Sequence, residues 1–233
     1  MPKILITCEH ATNAIPKKYI YLFLKNKKIL NTHRGVDFGA LGLAQKMKHS
    51  IRAPLIYGKA SRLLADLNRS PTHPKLFSLF TQPLSGEERG KLLQDFYYPY
   101  RKRAEKKIQL WLKQKRAVLH LSVHSFTPVL NKKKRTMDIG LLYDPKRTGE
   151  RGFCSLWKKN LLHQMPNLKI QMNAPYRGSS DGLTTYLRKR FQNKNYLGIE
   201  LEVNQLFPLK KPKLWKELQQ ALIKSLEMTL LER

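Results

Sequence analysis

Apolar and polar positions follow two rhythms along the chain, and the switches between them predict its elements. Ile4 to Cys8 is a short, β-branched apolar run that suits a buried strand of a parallel sheet. The polar turn CEHATNAIP, closed by Pro16, follows it, and then a basic, partly helical stretch. Leu41, Ala44 and Met47 recur at helical spacing, which predicts a helix starting just after Asp37. Pro54 to Tyr57 reads as a second strand running into a loop. From Ser85, a Ser-Gly-Glu-Glu start signal opens an amphipathic pattern through Ile108, Trp111 and Leu112. That pattern is one helix, or two broken near Pro99. AVLHLSVHSFTP and MDIGLLYD read as strands, RGFCSLWKKNLLHQM as a helix, and LKIQMNAPY as a strand entering a loop. DGLTTYLRKRF predicts a helix capped by Asp181. GIELEVNQ is the last strand, with Ile199, Leu201 and Val203 on one side and Glu200, Glu202 and Asn204 on the other. Pro212 to Leu231 closes the chain as a helix, with leucines at 214, 218, 222 and 226.

Strands alternating with helices from end to end predict an α/β fold: a single domain over residues 1–233, with an open, mostly parallel or mixed sheet flanked by helices. There is neither an internal repeat nor a linker. A chain of 233 residues is within the roughly 200–250 that one such domain can reach. In these sheets, functional groups gather at the carboxyl edge of the strands.

Charge changes this picture, because 45 Lys+Arg stand against 16 Asp+Glu, a net +29. Such a surface attracts polyanions without reading a sequence. No zinc finger, basic zipper or RNP motif accompanies it, so incidental polyanion binding is the expectation, and a dedicated nucleic-acid-binding protein on a degenerate hydrolase scaffold is the alternative. Cys8 and Cys154 alone give no disulfide framework and no cysteine metal cluster. No run approaches a membrane span and no signal-peptide pattern opens the chain, which together predict a cytoplasmic protein with no membrane association.

Three chemically capable side chains fall at predicted strand ends: His10, His124 and Glu202. Asp37 precedes a predicted helix and is either its N-cap or a ligand. Two imidazoles and one carboxylate make the three-ligand set of a catalytic zinc site, although their spacing is not a local motif. In SRLLADLNRS, Arg62, Asn68 and Arg69 are either surface residues of a basic protein or a fork-and-amide set for a small carboxylate. YRGSSDGLT, with Gly178, is either a turn into a helix or a loop closing over a ligand through its backbone.

Taken in order, CEHATNAIP, HRGVDFGA, SRLLADLNRS, VHSFTP, YRGSSDGLT and GIELEVNQ resemble the N-formylglutamate amidohydrolase family, whose fold is similar to that of zinc carboxypeptidase-type hydrolases. Each piece is unspecific, but together they span Cys8 to Gln205. The resemblance implies a phosphorylase/hydrolase-like, zinc exopeptidase-type fold and a zinc-dependent enzyme that releases formate and glutamate from N-formyl-L-glutamate. It places the metal, zinc or another divalent ion, on His10, Asp37 and His124, and the catalytic carboxylate on Glu202. Asn68 and Arg69 would hold the substrate carboxylate, with Arg62 assisting and Gly178 in the ligand loop. Glu9 is an extra ligand or a bystander, and His33, close to Asp37, is either a competing ligand or a bystander. Glu200 is read as a supporting group paired with His120 or a nearby Arg. A peptidase or amidase for other N-acylated amino acids, cell-wall fragments included, is the remaining alternative.

Overall fold

A computed structural model describes residues 1–192 and 195–232. Strand β1, Lys3–Cys8, leads through a 3₁₀ stretch, Lys17–Asn31, to helix α1, Ala40–Ser50, and strand β2, Leu55–Tyr57. Helices α2, Gly86–Leu92, and α3, Tyr98–Lys113, are joined by a π-helical turn, Leu93–Tyr97. Then come β3, Val118–Phe126, a small hairpin of β4, Val129–Leu130, and β5, Lys133–Lys134, and strand β6, Ile139–Leu142. Helix α4, Thr148–Gln164, strand β7, Ile170–Met172, helix α5, Leu183–Arg190, and strand β8, Tyr196–Asn204, precede α6, Leu206–Lys210, and α7, Pro212–Leu231.

The main sheet runs β2-β1-β3-β8-β6-β7. Neighbours are parallel except β6 against β8, so the sheet is mixed and mostly parallel, as the alternation predicts. Helices cover both faces. Leu43 of α1, Phe153 and Trp157 of α4, and Leu218 and Leu222 of α7 pack on the face bearing Ile6, Leu121 and Ile199. Tyr100, Ala104 and Ile108 of α3 with Leu183 and Leu187 of α5 cover the other face at its amino end, over Leu5, Val118 and Tyr196. With both faces covered, every residue of the central β3 is buried.

The break predicted near Pro99 is a phase shift rather than a gap. Tyr98 N–H bonds back five residues to Leu93 O, and Pro99 follows in the first turn of α3. Proline has no N–H to continue the ladder, and the wider π turn absorbs the interruption. The start of α2 is as predicted, with Ser85 and Glu88 forming a reciprocal capping box. Asp181 does not cap α5: its carboxylate accepts from Ser70 N at 2.9 Å, and Leu183 N donates instead to Asn68 Oδ1 at 2.6 Å. No helix among the described residues is long and apolar enough to cross a membrane.

Candidate active site

Strand register decides which polar side chains meet. His124 of β3 lies opposite Glu202 of β8, Ser122 opposite Glu200, and Thr7 of β1 opposite Ser122. With a side-chain period of two, these groups share one face, while Leu121, Val123, Leu201 and Val203 enter the core on the other. The result is a buried polar stripe that climbs the sheet to its carboxyl edge. Gly140 of β6 lies opposite Glu202, and a Cβ there would stand 2.0 Å from Ala174 O and 3.2 Å from Glu202 Cβ. Only glycine leaves that wall thin enough for the carboxylate beside it.

At the edge, one ligand atom from each of His10, Asp37 and His124 lies within 4.8 Å of the others. Asp37 Oδ2 is the hub, 3.3 Å from His10 Nδ1 and 2.9 Å from His124 Nδ1. Each imidazole is gripped from behind. His10 Nε2 lies 2.6 Å from Asp66 Oδ1, and His124 Nε2 lies 2.9 Å from Glu9 Oε2. Carboxylates in that position fix a tautomer with the proton on Nε2, which turns the Nδ1 lone pair toward the shared centre. Two imidazole nitrogens and a carboxylate oxygen then converge as three electron-pair donors, a set whose chemistry fits a divalent cation. Asp37 is therefore not the cap of α1, which begins at Gly39 with no side-chain cap.

Without a bound cation, protons on the imidazoles balance the carboxylates of the cluster. Burial opposes ionisation of Asp37, yet the charges and hydrogen bonds of His10 and His124 hold its carboxyl well below the usual range. Burial would likewise lift Asp66, but Arg62 above all, then His10, holds it low. Burial would push His124 down, but its bonds to Asp37 and Glu9, and their charges, carry it well above the ordinary histidine value. Glu202 behaves oppositely. Burial, reinforced by the negative charges of Asp37 and Glu200, overrides the opposing His124 and pushes it up to about 8. Its Oε2 is buried without a hydrogen-bond partner among the described residues. Five of the chain's 16 acidic residues line this one cavity: Asp37, Asp66, Asp181, Glu200 and Glu202. In a protein of net +29, that concentration of acidic residues sets the cavity apart from the rest of the chain.

The cavity encloses about 230 Å³. Arg62, Asn68 and Arg69 line it as the sequence predicts, and Arg177, Ser180 and Tyr176 join them. Arg62 bonds Asp66 through Nη2 at 2.6 Å, with Nη1 3.7 Å from Asp37. Arg69 Nη1 donates to Asp181 O at 3.2 Å. Gly178 is placed differently. It is buried off the cavity wall, where an added Cβ would lie 2.2 Å from Tyr143 N, so its glycine serves close packing of the loop on the end of β6.

Glu9 is held by Tyr100 Oη at 2.7 Å and Ser122 Oγ at 2.5 Å as well as by His124, which makes it an outer partner rather than a fourth member of the cluster. His33 is exposed and outside the cluster. Glu200 Oε1 accepts from Thr184 Oγ1. Of the expected partners, His120 or a nearby Arg, His120 bonds Thr7 Oγ1 at 2.8 Å and Tyr196 Oη at 2.9 Å instead. Sequence reasoning left Asp66 and Arg177 without a role. The first stands in the same short segment as Arg62 and Asn68, which was the available signal, whereas the second had none beyond its loop.

Residues 3–207 match the model of the N-formylglutamate amidohydrolase family. A crystal structure of a gene product from Agrobacterium tumefaciens is 27% identical, with a TM-score of 0.81 over 99% of this chain and 91% of that one. The N-formylglutamate amidohydrolase from Ralstonia eutropha superposes with a TM-score of 0.71 at 15% identity, over 99% of this chain and 93% of that one, a likeness of fold. No curated protein matches the chain. The family model covers most of the sequence and every residue of the cavity, and the chain belongs to the N-formylglutamate amidohydrolase family.

Proposed function

We propose that the protein is a metal-dependent amidohydrolase that cleaves the formyl amide of N-formylglutamate, or of a closely related N-acyl amino acid, to release formate and the amino acid. The observation that carries this reading is the pairing of the His10, Asp37 and His124 donor set with a buried carboxylate atom, Glu202 Oε2, that has no partner among the described residues. His10, Asp37 and His124 would hold the cation, zinc by the chemistry of its donors. Bound there, a divalent ion supplies Lewis acidity, lowering the pKa of water from about 15.7 towards 7 and polarising a carbonyl oxygen.

The protein's own groups do the rest. Glu202 is buried with Oε2 unpartnered among the described residues, placed to take a proton from water and return it to the departing nitrogen; burial pushes its carboxyl up, and a cation held beside it would favour the ionised, proton-accepting form. Asn68 and Arg69 present an amide and a guanidinium for the substrate carboxylate, with Arg62 balancing the acidic wall and Arg177 at the rim. The small cavity, about 230 Å³ against the roughly 300–1,000 Å³ of pockets for drug-sized ligands, favours a single amino-acid derivative over a cell-wall fragment.

The test is metal content and formate release for two variants. Glu202→Gln retains the metal and loses about 10²–10⁴ in turnover, the usual worth of a positioned acid–base group. His124→Ala loses both. Near-normal turnover by Glu202→Gln removes the assigned base, and wild-type protein that binds zinc without releasing formate removes the substrate.

A further inference from the structure

We infer that Arg101, together with Tyr97, is a positioning residue for the loop that offers Asn68 and Arg69 to the substrate. Arg101 is on α3 and only 6% exposed, a costly place for a guanidinium. Among the described residues its hydrogen bonds go to no carboxylate. Nη1 donates to Leu67 O at 3.0 Å and to Arg69 O at 3.2 Å, and Nη2 has no partner among the described residues. The rings of Tyr97 and Tyr186 stand 5.1 and 4.5 Å from its Cζ, which holds the planar group in place and offsets part of its desolvation.

Gripping the carbonyls of residues 67 and 69 fixes the backbone on either side of Asn68. Tyr97, one helical turn before Arg101 and on the same face, adds a third bond through Oη to Arg69 O at 2.6 Å. Tyr97 is the last residue of the π turn, and a π turn re-phases the face a helix presents. From the opposite side, Asp181 and the start of α5 hold the same segment through Ser70 N, Arg69 Nη1 and Asn68 Oδ1. Neither Arg101 nor Tyr97 lines the cavity, so they act through Asn68 and Arg69 rather than by touching substrate. This inference rests on the reading of those two residues as the holders of the substrate carboxylate.

Two variants and two readouts test it. Arg101→Lys keeps a charge but offers one nitrogen and no planar face, while Tyr97→Phe removes a single hydroxyl and serves if the first does not fold. With zinc-loaded protein and N-formylglutamate, KM rises about tenfold for Arg101→Lys and about threefold for Tyr97→Phe, with kcat within about twofold, the pattern of lost uniform binding. Zinc stoichiometry is unchanged. Amide hydrogen exchange in peptides covering residues 66–70 becomes faster in both variants. A fall in kcat at constant KM, or unchanged protection of that segment, overturns the inference. Wild-type protein inactive on N-formylglutamate removes the substrate reading, and the exchange result then decides alone whether Arg101 and Tyr97 hold the loop.

Discussion

A buried carboxylate is tolerated where donors or cations surround it, and Glu9 has both: burial would lift it, but the hydrogen bond and charge of His124 with the bonds from Ser122 Oγ and Tyr100 Oη together outweigh burial and hold the group well below the usual range. That arrangement orients His124 and makes its Nδ1 a better donor. Glu9→Gln keeps the volume but loses the charge that draws the Nε2 proton, and is expected to weaken zinc binding about 10–100-fold in a chelator competition. Unchanged affinity would leave Glu9 a structural residue only. At this scale the sequence was legible where chemistry is carried by residue type and strand position. His10, Asp37, His124, Glu202, Arg62, Asn68 and Arg69 all line the cavity. The outer partners were not legible. Asp66 meets His10 across 56 residues and Tyr100 meets Glu9 across 91, and no local spacing encodes such pairs.

Among elements, α4 and α5 are tied to β8 through a buried knot that periodicity does not reveal. Glu150, near the start of α4, is wholly buried and accepts from Arg188 Nε at 3.0 Å, Gly198 N at 3.0 Å, Asp144 N at 2.9 Å and Arg147 Nε at 3.1 Å. Arg188 of α5 also donates through Nη1 to Gly178 O and through Nη2 to Gly198 O, both at 2.6 Å. The loop over the cavity and the strand bearing Glu200 and Glu202 are thus held by one guanidinium. Glu150→Ala leaves that charge buried without its carboxylate, at a cost of about 3–5 kcal/mol, which lowers the melting temperature by about 10 °C in a chain of this length. A loss below about 1 kcal/mol would mean that the knot adds no net stability. Helix and strand existence followed from the two hydrophobic rhythms, whereas the cap of α5 did not. Asp181 is the residue type a cap requires, but Ser70 N competes for it and Asn68, more than a hundred residues earlier, takes its place. Capping rules read neighbours in sequence, and here the neighbour is tertiary.

For the whole molecule, alternation of strand and helix made the mixed sheet and its polar carboxyl edge legible, while strand order and register required the tertiary structure. Register matters because it stacks ionisable groups on one face, and two of them titrate with opposite consequences for stability. His120 is buried among Thr7 and Tyr196, and burial, with smaller contributions from Arg188 and His124, lowers it to about 4. The unfolded chain, with an ordinary histidine near 6.5, then binds the extra proton between these values, so this contribution is complete above 6.5 and is lost as pH falls. Glu202 runs the other way. Its folded value of about 8 exceeds the ordinary 4.5, so the folded state binds the extra proton, and its contribution is complete below 4.5 and is lost as pH rises. Between pH 5 and 6.5 the two slopes have opposite signs and similar size, on the order of 1 kcal/mol per pH unit. His124, raised above the ordinary value, adds a loss with rising pH that all three proteins share, so in urea denaturation of chelator-treated protein His120→Asn is expected to weaken with rising pH relative to wild type, and Glu202→Gln to strengthen relative to it. Curves for the three proteins that run parallel would mean that neither group differs in proton affinity between the folded and unfolded chain. The polar stripe would then be solvated rather than dry, and Glu202 would lack the raised basicity that burial beside Asp37 and Glu200 gives it.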